Sequence, residues 1–236
     1  FTGWNVPILW GWQWEGGREE GRDTLAQCAP VPALLNPLGT QLVFPCGANA
    51  MASNSFLVAK QPPRHKCGNQ RSCPQNYFAF KITSGAANVV GPSICFEDKI
   101  IMSSVKNNIG RGLNIMLVNG TNGKLLKTGI FDMYSGDINK LDAFLQEIKV
   151  GTIVLVASYD DPATKMNAKV QAHFERLGSS HVRKLGFRDN WVFLGAKGMK
   201  NKSPFEEHIK NDRKTNKYDG WPEMLEMEGC TPRKMD

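Results

Sequence analysis

The sequence lacks the residue patterns from which metal and nucleophilic sites are commonly built. It has only four histidines, and no Cys-x2-Cys or His-x3–5-His spacing occurs, which argues against a structural zinc site. No P-loop, Gly-x-Gly-x-x-Gly, Gly-x-Ser-x-Gly or His-Glu-x-x-His motif is present, so the usual signatures of nucleotide binding and hydrolysis are missing. We therefore expect no metal, no cofactor and no catalytic activity.

Long apolar runs are also missing, since none approaches the ~20 residues that a membrane-spanning helix needs. We expect no membrane insertion. The net charge of +7 would suit an anionic partner, but no basic run is interleaved with aromatic residues and no nucleic-acid-binding signature occurs. We expect no nucleic-acid partner. Because the sequence begins with Phe1 and not with Met, the absence of a recognisable signal peptide does not argue for or against secretion.

Lysine is absent from residues 1–59, and this uneven distribution divides the chain. The same segment contains four of the six tryptophans without a sustained period of 2 or 3.6. From Lys60 onward the chain carries nearly all of its basic residues. The contrast predicts a boundary near residue 60, with residues 1–60 as a disordered or artefactual N-terminal extension and residues 61–236 as one domain. Cys28 and Cys46 lie in the extension and receive no role.

Alternation and turn residues predict the first regular elements. Phe78, Phe80 and Ile82 alternate with less apolar residues, which is typical of a strand with one buried face. Residues 113–133 read as two strands around an Asn-Gly-rich turn, the signature of a hairpin. Asp137 then caps a helix that Gly151 can end.

The following segment reads as strand, helix and strand, which predicts one βαβ-like crossover within a mainly β domain. Residues 152–158 and 190–196 are continuous apolar runs suited to buried strands. Asp161 and Pro162 predict the start of the intervening helix, and Gly178 its end. The sequence Ser-Pro-Phe-Glu at 203–206 resembles a capping box, which predicts a third short helix to about residue 210.

The cysteines Cys67 and Cys73 allow three interpretations: metal ligands, a catalytic thiol with a neighbouring base, or part of a disulfide framework. Two further metal ligands at suitable spacing are missing, and no residue pair suggests a base for a catalytic cysteine. With Cys95 and Cys230 they bracket the compact part of the chain, as disulfides in an oxidising compartment do. The disulfide interpretation is favoured.

Several long motifs together resemble one family. They include CGNQRSCPQNYFAFKITSGAANVVGPSICFED, VKNNIGRGLNI, FDMYSGD, ASYDDPATKMN, LGFRDNWVFLGAKG, KSPFEEHIKN and NKYDGWPEMLEMEGC. These segments, from about Pro62 to Cys230, are similar to the cytokine-like ILEI/PANDER family, also called family with sequence similarity three, and most similar to its member D. The resemblance implies an α+β fold, with two antiparallel β-sheets packed as a compact β-β-α globule flanked by three short helices. It also implies secretion.

The resemblance further implies two disulfides, Cys67–Cys95 and Cys73–Cys230. Some relatives carry an additional cysteine after the sequence Trp-Val-Phe, which supports covalent dimers, whereas this chain has Leu194 at that place. We therefore expect a monomer. The function that the resemblance implies is that of a secreted, extracellular cytokine-like signalling protein, which binds a cell-surface receptor in metabolic or epithelial regulation.

A candidate carbohydrate-binding site consists of Arg111, Asp160 and Arg188, each at the end of a predicted strand. Guanidinium and carboxylate groups offer fixed donors and acceptors for sugar hydroxyls. The stem domain of the O-mannose β-1,2-N-acetylglucosaminyltransferase resembles this family in fold, and its glycan-contacting arginine, aspartate and arginine fall in matching motifs. The alternative function is thus a lectin-like module with a glycan partner. A structural ion pair between arginine and aspartate is the simpler interpretation of the same residues.

Three smaller features complete the predictions. Asn119-Gly120-Thr121 is an N-glycosylation sequon on the predicted hairpin turn. Asp160 and Asp161 could be paired acids, but adjacent residues at a strand end point to opposite sides, and a capping role explains Asp161 more simply. Trp191 lies within an apolar strand and is predicted to be part of the core.

Overall fold

The computed structural model of the protein describes residues 65–234, and in this range it contains nine strands and two α-helices. Both α-helices are short and lie between strands of the second half, with two single 3-10 turns elsewhere, at Lys66–Gly68 and Val182–Lys184. The strands and α-helices are β1 Tyr77–Thr83, β2 Ser93–Phe96, β3 Lys99–Met102, β4 Gly112–Asn119, β5 Leu125–Phe131, α1 Ile138–Gln146, β6 Thr152–Tyr159, α2 Ala168–Arg176, β7 Asn190–Ala196, β8 Phe205–Ile209 and β9 Glu226–Pro232.

The strands form two antiparallel sheets. The first has the order β3-β2-β1-β9, and the second has the order β5-β4-β6-β7-β8. The second sheet is the middle layer, because alternate residues of its strands enter two different apolar clusters. Val154 and Val156 of β6 pack with the helices, whereas Ile153 and Leu155 pack with the first sheet. The arrangement is the β-β-α globule that the family resemblance implied.

Aromatic side chains fill both clusters. On the helical side, Phe174 of α2 meets Trp191 edge to face, with ring centroids 5.3 Å apart. Between the sheets, Phe80 meets Phe205 at 4.9 Å. Trp191 is fully buried, so its prediction as a core residue is confirmed. Complete burial of an aromatic side chain of this size is a large stabilising term.

The strongest local patterns in the sequence correspond to observed elements. Strand β1 and its buried residues, the hairpin of β4 and β5, and the buried strands β6 and β7 agree with their predictions. Helix α1 begins as expected, with the side chain of Asp137 accepting a hydrogen bond from the backbone nitrogen of Asn139 at 3.0 Å. The helix ends at Gln146, well before Gly151, which instead takes a positive φ of 84° in the turn into β6.

The third helix predicted over residues 203–210 is wrong, because this segment contains the edge strand β8, which pairs with β7. Ser203 does use its hydroxyl oxygen locally, accepting from the backbone nitrogen of Phe205 at 3.1 Å. The carboxylate of Glu206, however, faces other parts of the chain: it accepts from the Ser180 backbone nitrogen at 2.6 Å and from the Trp191 indole at 2.9 Å. These tertiary bonds override the helical start signal.

Two further expectations around β6 and β7 are wrong. The helix between them begins at Ala168, capped by Asn167, because Asp161 forms a separate turn by accepting from the backbone nitrogens of Ala163 and Thr164. The connection is also no βαβ crossover, since β6 and β7 are antiparallel neighbours. A buried apolar run is compatible with either strand direction once a sheet is covered on both faces.

Two disulfides tie the segment before β1 to the first sheet, Cys67 to Cys95 in β2 and Cys73 to Cys230 in β9, which is the pairing that the family resemblance implied. Cys230 lies in β9 opposite Ala79 of β1, so strand pairing already positions it. Within the described range, no helix is long and apolar enough to cross a membrane. The predicted boundary near residue 60, together with Cys28 and Cys46, lies outside the described residues.

Candidate functional site

Arg111 lies immediately before β4 and forms an ion pair with Asp132 at the end of β5. Its Nε and Nη2 donate to the two carboxylate oxygens of Asp132 at 3.1 and 2.7 Å. Gly112 permits this approach, because it has a φ of 98° and a Cβ there would collide with the backbone of Phe131. The hydrogen bond from Arg111 holds the pKa of Asp132 well below its ordinary value, and the same bond raises the pKa of Arg111.

Asp132 also organises the turn that follows β5. Its Oδ1 accepts from the backbone nitrogens of Tyr134 and Ser135 at 2.8 and 3.1 Å. This turn brings the Tyr134 ring below the Arg111 guanidinium, whose carbon lies 4.9 Å from the ring centroid. The ion pair and the aromatic contact together fix one wall of the site.

Asp160 follows β6 in a left-handed conformation with a φ of 60°. Its Oδ1 accepts from the indole Nε1 of Trp221 at 3.0 Å. A non-glycine residue with positive φ is uncommon, although aspartate tolerates it better than most. Trp221 is thereby tied to the second sheet, despite lying far along the chain in the loop before β9.

Arg188 occupies the turn before β7, also with a positive φ, of 61°. Its guanidinium carbon lies 3.8 Å from the Trp221 ring centroid and 4.8 Å from that of Phe187. Cation–π contact of this kind holds the planar group without using its hydrogen-bond donors. Within residues 65–234 the Arg188 side chain forms no hydrogen bond or salt bridge, and its Nε is buried there without a partner.

These side chains surround one cavity of about 240 Å³, here named the aromatic–arginine cavity. Its aromatic rim is half exposed: Tyr134 is 49% and Phe187 is 47% accessible, with ring centroids 6.3 Å apart. The surface therefore presents apolar ring faces beside fixed charges. The residues that line the cavity are Arg111, Tyr134, Asp160, Asp161, Phe187 and Arg188.

The structure brings together all three residues of the candidate carbohydrate site, but it gives them different tasks. Arg111 forms a structural ion pair, but its partner is Asp132 and not Asp160. Asp160 accepts from Trp221, and Arg188 keeps its donors. Carbohydrate binding by this set stays a prediction.

Sequence reasoning missed the aromatic half of the site. Tyr134 and Phe187 received no role, although Phe187 directly precedes Arg188 and Tyr134 follows the strand that ends beside Arg111. An aromatic residue next to a predicted site arginine at a strand end is the signal that could have found them. The Trp221 contact joins segments 33 positions apart, and no local pattern predicts it.

The two adjacent acids at the end of β6 do not form a carboxylate pair suited to hydrolysis. Asp161 is almost completely buried and its Oδ1 is used in the turn to Ala163 and Thr164, while Asp160 faces Trp221. Among residues 65–234 no group of three or more His, Cys, Asp or Glu side chains could hold a metal ion.

Comparison with known proteins places this fold and site in a family. Residues 111–199, which include all three candidate residues, match the family model described as Interleukin-like EMT inducer. The chain is 64% identical to the mouse (Mus musculus) protein FAM3D over 175 residues, covering 74% of this chain and 78% of the relative. The chain belongs to the ILEI/FAM3 family. It is also 63% identical to zebrafish (Danio rerio) FAM3C, over 76% of this chain and 79% of the relative.

Membership in the ILEI/FAM3 family identifies the chain as a cytokine-like protein. A third relative, FAM3A from Pongo abelii, is 57% identical over 77% of this chain and 79% of its own. Leu194, at the place where the resemblance puts a cysteine in some relatives, is buried in β7. Asn119 ends β4, and its Oδ1 accepts from the backbone nitrogens of Thr121 and Asn122. Monomeric state and glycosylation of Asn119 stay predictions.

Proposed function

We propose that the protein is a secreted, monomeric cytokine-like ligand that binds a cell-surface receptor and acts without catalysis. The observation that carries this proposal is a group of aromatic and arginine side chains at the aromatic–arginine cavity. Tyr134 and Phe187 are exposed there, and the partly buried Arg188 is stacked on Trp221 beside the cavity. Tryptophan, tyrosine and arginine are enriched among the residues that dominate protein–protein binding energy. An arginine with free donors between two rings can meet an acceptor on a receptor without first breaking an internal bond.

Family membership and the two disulfides support secretion. Structural disulfides persist in oxidising compartments and are rare in the cytosol. Both bridges attach to strands of the first sheet, whereas the residues of the aromatic–arginine cavity lie at the ends of strands of the second sheet. They therefore stabilise the domain and leave the recognition surface free.

The direct test is saturable binding of the labelled, oxidised protein to cells that respond to it, competed by unlabelled protein. Phe187→Ala and Arg188→Ala are each expected to weaken binding about 30-fold or more, the size of a hot-spot substitution. Tyr77→Ala and Arg176→Ala are the matched controls, because both residues are exposed and lie outside the cavity. Equal binding by all four variants would refute this surface as the receptor site.

A second experiment tests the role of the fold. The reduced and alkylated protein is expected to lose binding and signalling, because the segment before β1 is no longer joined to β2 and β9. Retained signalling by the reduced protein would contradict a requirement for the disulfide framework. The location of the binding surface is tested independently, by the Phe187→Ala and Arg188→Ala variants.

One observation favours glycan recognition as a second candidate function. Arg188 lines both the aromatic–arginine cavity and a neighbouring polar depression of about 520 Å³, which Arg213, Asn216 and Trp221 also line. Sugars bind where aromatic faces lie beside fixed donors and acceptors. A ligand of more than one sugar unit could occupy both depressions and bond to the Arg188 edge between them.

A glycan array with the full, oxidised chain tests this second function. Binding is expected to be lost in Arg188→Ala and Asp160→Ala. It is expected to be weakened in Arg111→Ala, because Asp132 loses its ion-pair partner and the turn that it organises becomes less ordered. Arg176→Ala is the control. If all variants bind the same glycans as the original chain, the site assignment is wrong. Removing cell-surface glycans separates the two functions, because binding to a protein epitope of the receptor survives this treatment.

A further inference from the structure

A second cavity lies at the opposite ends of β4, β6 and β7 from the aromatic–arginine cavity. Its volume of about 390 Å³ falls in the range of small-molecule sites. It lies where the end of β9 meets the second sheet, and we name it the apolar cavity. Its lining includes Ile153, Leu194, Ala196, Phe205 and Pro232.

The walls and mouth of the apolar cavity are both hydrophobic. Ile153 and Leu194 are buried in the cluster between the sheets, and Phe205 packs against the same cluster. At the mouth, Val150 is 68% and Met199 is 37% exposed. Apolar side chains that continue from a cavity to the surface indicate a binding site more often than an isolated exposed residue does.

The backbone at this end of the sheet is already paired. Lys234 nitrogen donates to the Gly120 carbonyl, Gly120 nitrogen to the Gly151 carbonyl, and Gly151 nitrogen to the Lys197 carbonyl, each at 2.9 Å. The hydroxyl of Ser203 donates to the carbonyl oxygen of Leu194. A buried water needs several polar partners, and this wall offers few. The cavity interior therefore suits an alkyl group.

Three cations lie around this apolar interior: Lys197, Arg233 and Lys234. No acidic residue lines the cavity, and none of the three forms a salt bridge within residues 65–234. The Lys234 side chain extends across Gly151, where a Cβ would come within 3.2 Å of Nζ. The charge at the mouth is complementary to an anion.

We propose that the apolar cavity binds a medium-chain fatty acid. Its alkyl chain packs against Ile153, Leu194 and Phe205, and its carboxylate pairs with Lys197 and Lys234 at the mouth. The volume suits one alkyl chain, and the unpaired ammonium groups favour a carboxylate head over a neutral one. This site is separate from the aromatic–arginine cavity, so the inference does not depend on the proposed receptor or glycan function.

Isothermal titration of the full oxidised chain with hexanoate, octanoate and decanoate, each below its micellar concentration, tests the alkyl contact. Each added methylene is expected to lower Kd about three- to fourfold, so decanoate binds about tenfold more tightly than octanoate. Decanol is expected to bind more weakly than decanoate. The Lys197→Met/Lys234→Met double variant is expected to lose this preference for decanoate, whereas Lys106→Met keeps it.

Two variants test the location. Ala196→Phe fills the cavity and is expected to abolish decanoate binding. Val150→Asp places a negative charge at the exposed mouth, where it is compatible with folding, and is expected to weaken binding at least tenfold. Val105→Asp is its control, because Val105 is 97% exposed and lies in the loop between β3 and β4. Arg188→Ala is expected to bind decanoate like the original chain.

Several outcomes would overturn the proposal. Equal affinity for hexanoate and decanoate would exclude the alkyl pocket. Equal affinity of Val150→Asp and Val105→Asp for decanoate would place the ligand elsewhere. If decyl phosphate bound more than tenfold better than decanoate, the head group would be a phosphate and the carboxylate assignment would be wrong.

Discussion

Removal of the Cys73–Cys230 disulfide is expected to destabilise the domain more than removal of Cys67–Cys95. The two bridges belong to the same sheet but close loops of very different length, with sequence separations of 157 and 28 residues. In the folded state, β9 is paired with β1 along seven residue pairs, so Cys230 keeps its place opposite Ala79 even without the bond. The main effect of either bridge is then on the unfolded chain.

The loop-entropy relation gives the magnitudes. By this relation, the Cys73–Cys230 bridge raises the free energy of the unfolded chain by about 5 kcal/mol at 25 °C, and the Cys67–Cys95 bridge raises it by about 3.6 kcal/mol. The Cys73→Ala/Cys230→Ala variant is thus expected to lose about 1.5 kcal/mol more stability than Cys67→Ala/Cys95→Ala. Since domains of this size have total stabilities of roughly 5–15 kcal/mol, the first variant is expected to be close to unfolding at 37 °C.

Urea unfolding of the two double-alanine variants in the full chain is the assay, with Cys28 and Cys46 unchanged in both. The slope of the unfolding free energy against urea should also rise more in the Cys73→Ala/Cys230→Ala variant, because a longer released loop exposes more surface on unfolding. If the two variants had equal stability, or the order were reversed, loop length would not govern the stabilisation. Native contacts of the buried Cys95 would then be the larger contribution.

Three further predictions concern single sites. Arg111→Met is expected to raise the pKa of Asp132 toward its ordinary value, which carboxyl NMR can measure. The lowered pKa stabilises the fold at pH values above the ordinary carboxyl pKa, and this contribution is lost as the pH falls. The variant, which lacks this contribution, should therefore unfold at a higher pH on acidification. Glu206→Ala is expected to cost about 1–3 kcal/mol in thermal or urea unfolding by leaving the buried Trp191 indole without its acceptor, while the exposed neighbour Glu207→Ala should change stability by less than about 0.5 kcal/mol. Asn119→Gln is expected to remove one N-glycan from the secreted protein in intact-mass analysis, and a mass unchanged by this substitution would contradict modification at the sequon.

The elements that could be predicted from the sequence are those whose pattern is local. Largely apolar runs identify β6 and β7, since a strand covered on both faces has little polar content. The edge strand β8 could not be found this way, because Ser-Pro-Phe-Glu is also a good helix start. Its conformation depends on hydrogen bonds from Ser180 and Trp191 to Glu206, and those donors come from distant parts of the chain.

The candidate site was predictable to a similar extent. Charged residues at strand ends indicated Arg111, Asp160 and Arg188, and the topology does bring them to one cavity. The different contacts of these three residues were not predictable, because they depend on which side chains the fold places next to each charged group. Asp132 satisfies Arg111, whereas Trp221 stacks on Arg188 and leaves its donors unused.

The two cavities are independent consequences of one topology. Strands β4, β6 and β7 are neighbours in the second sheet. A residue that directly flanks one end of each strand lines the aromatic–arginine cavity, and a residue that flanks the other end lines the apolar cavity. The pairs are Arg111 and Gly120 for β4, Asp160 and Gly151 for β6, and Arg188 and Lys197 for β7. Because an eight-residue strand such as β4 is about 25 Å long, charges at one end are screened from the other. Substitutions at the aromatic–arginine cavity should therefore leave decanoate binding unchanged, and measurable coupling between the two would show that the central strands move as a unit.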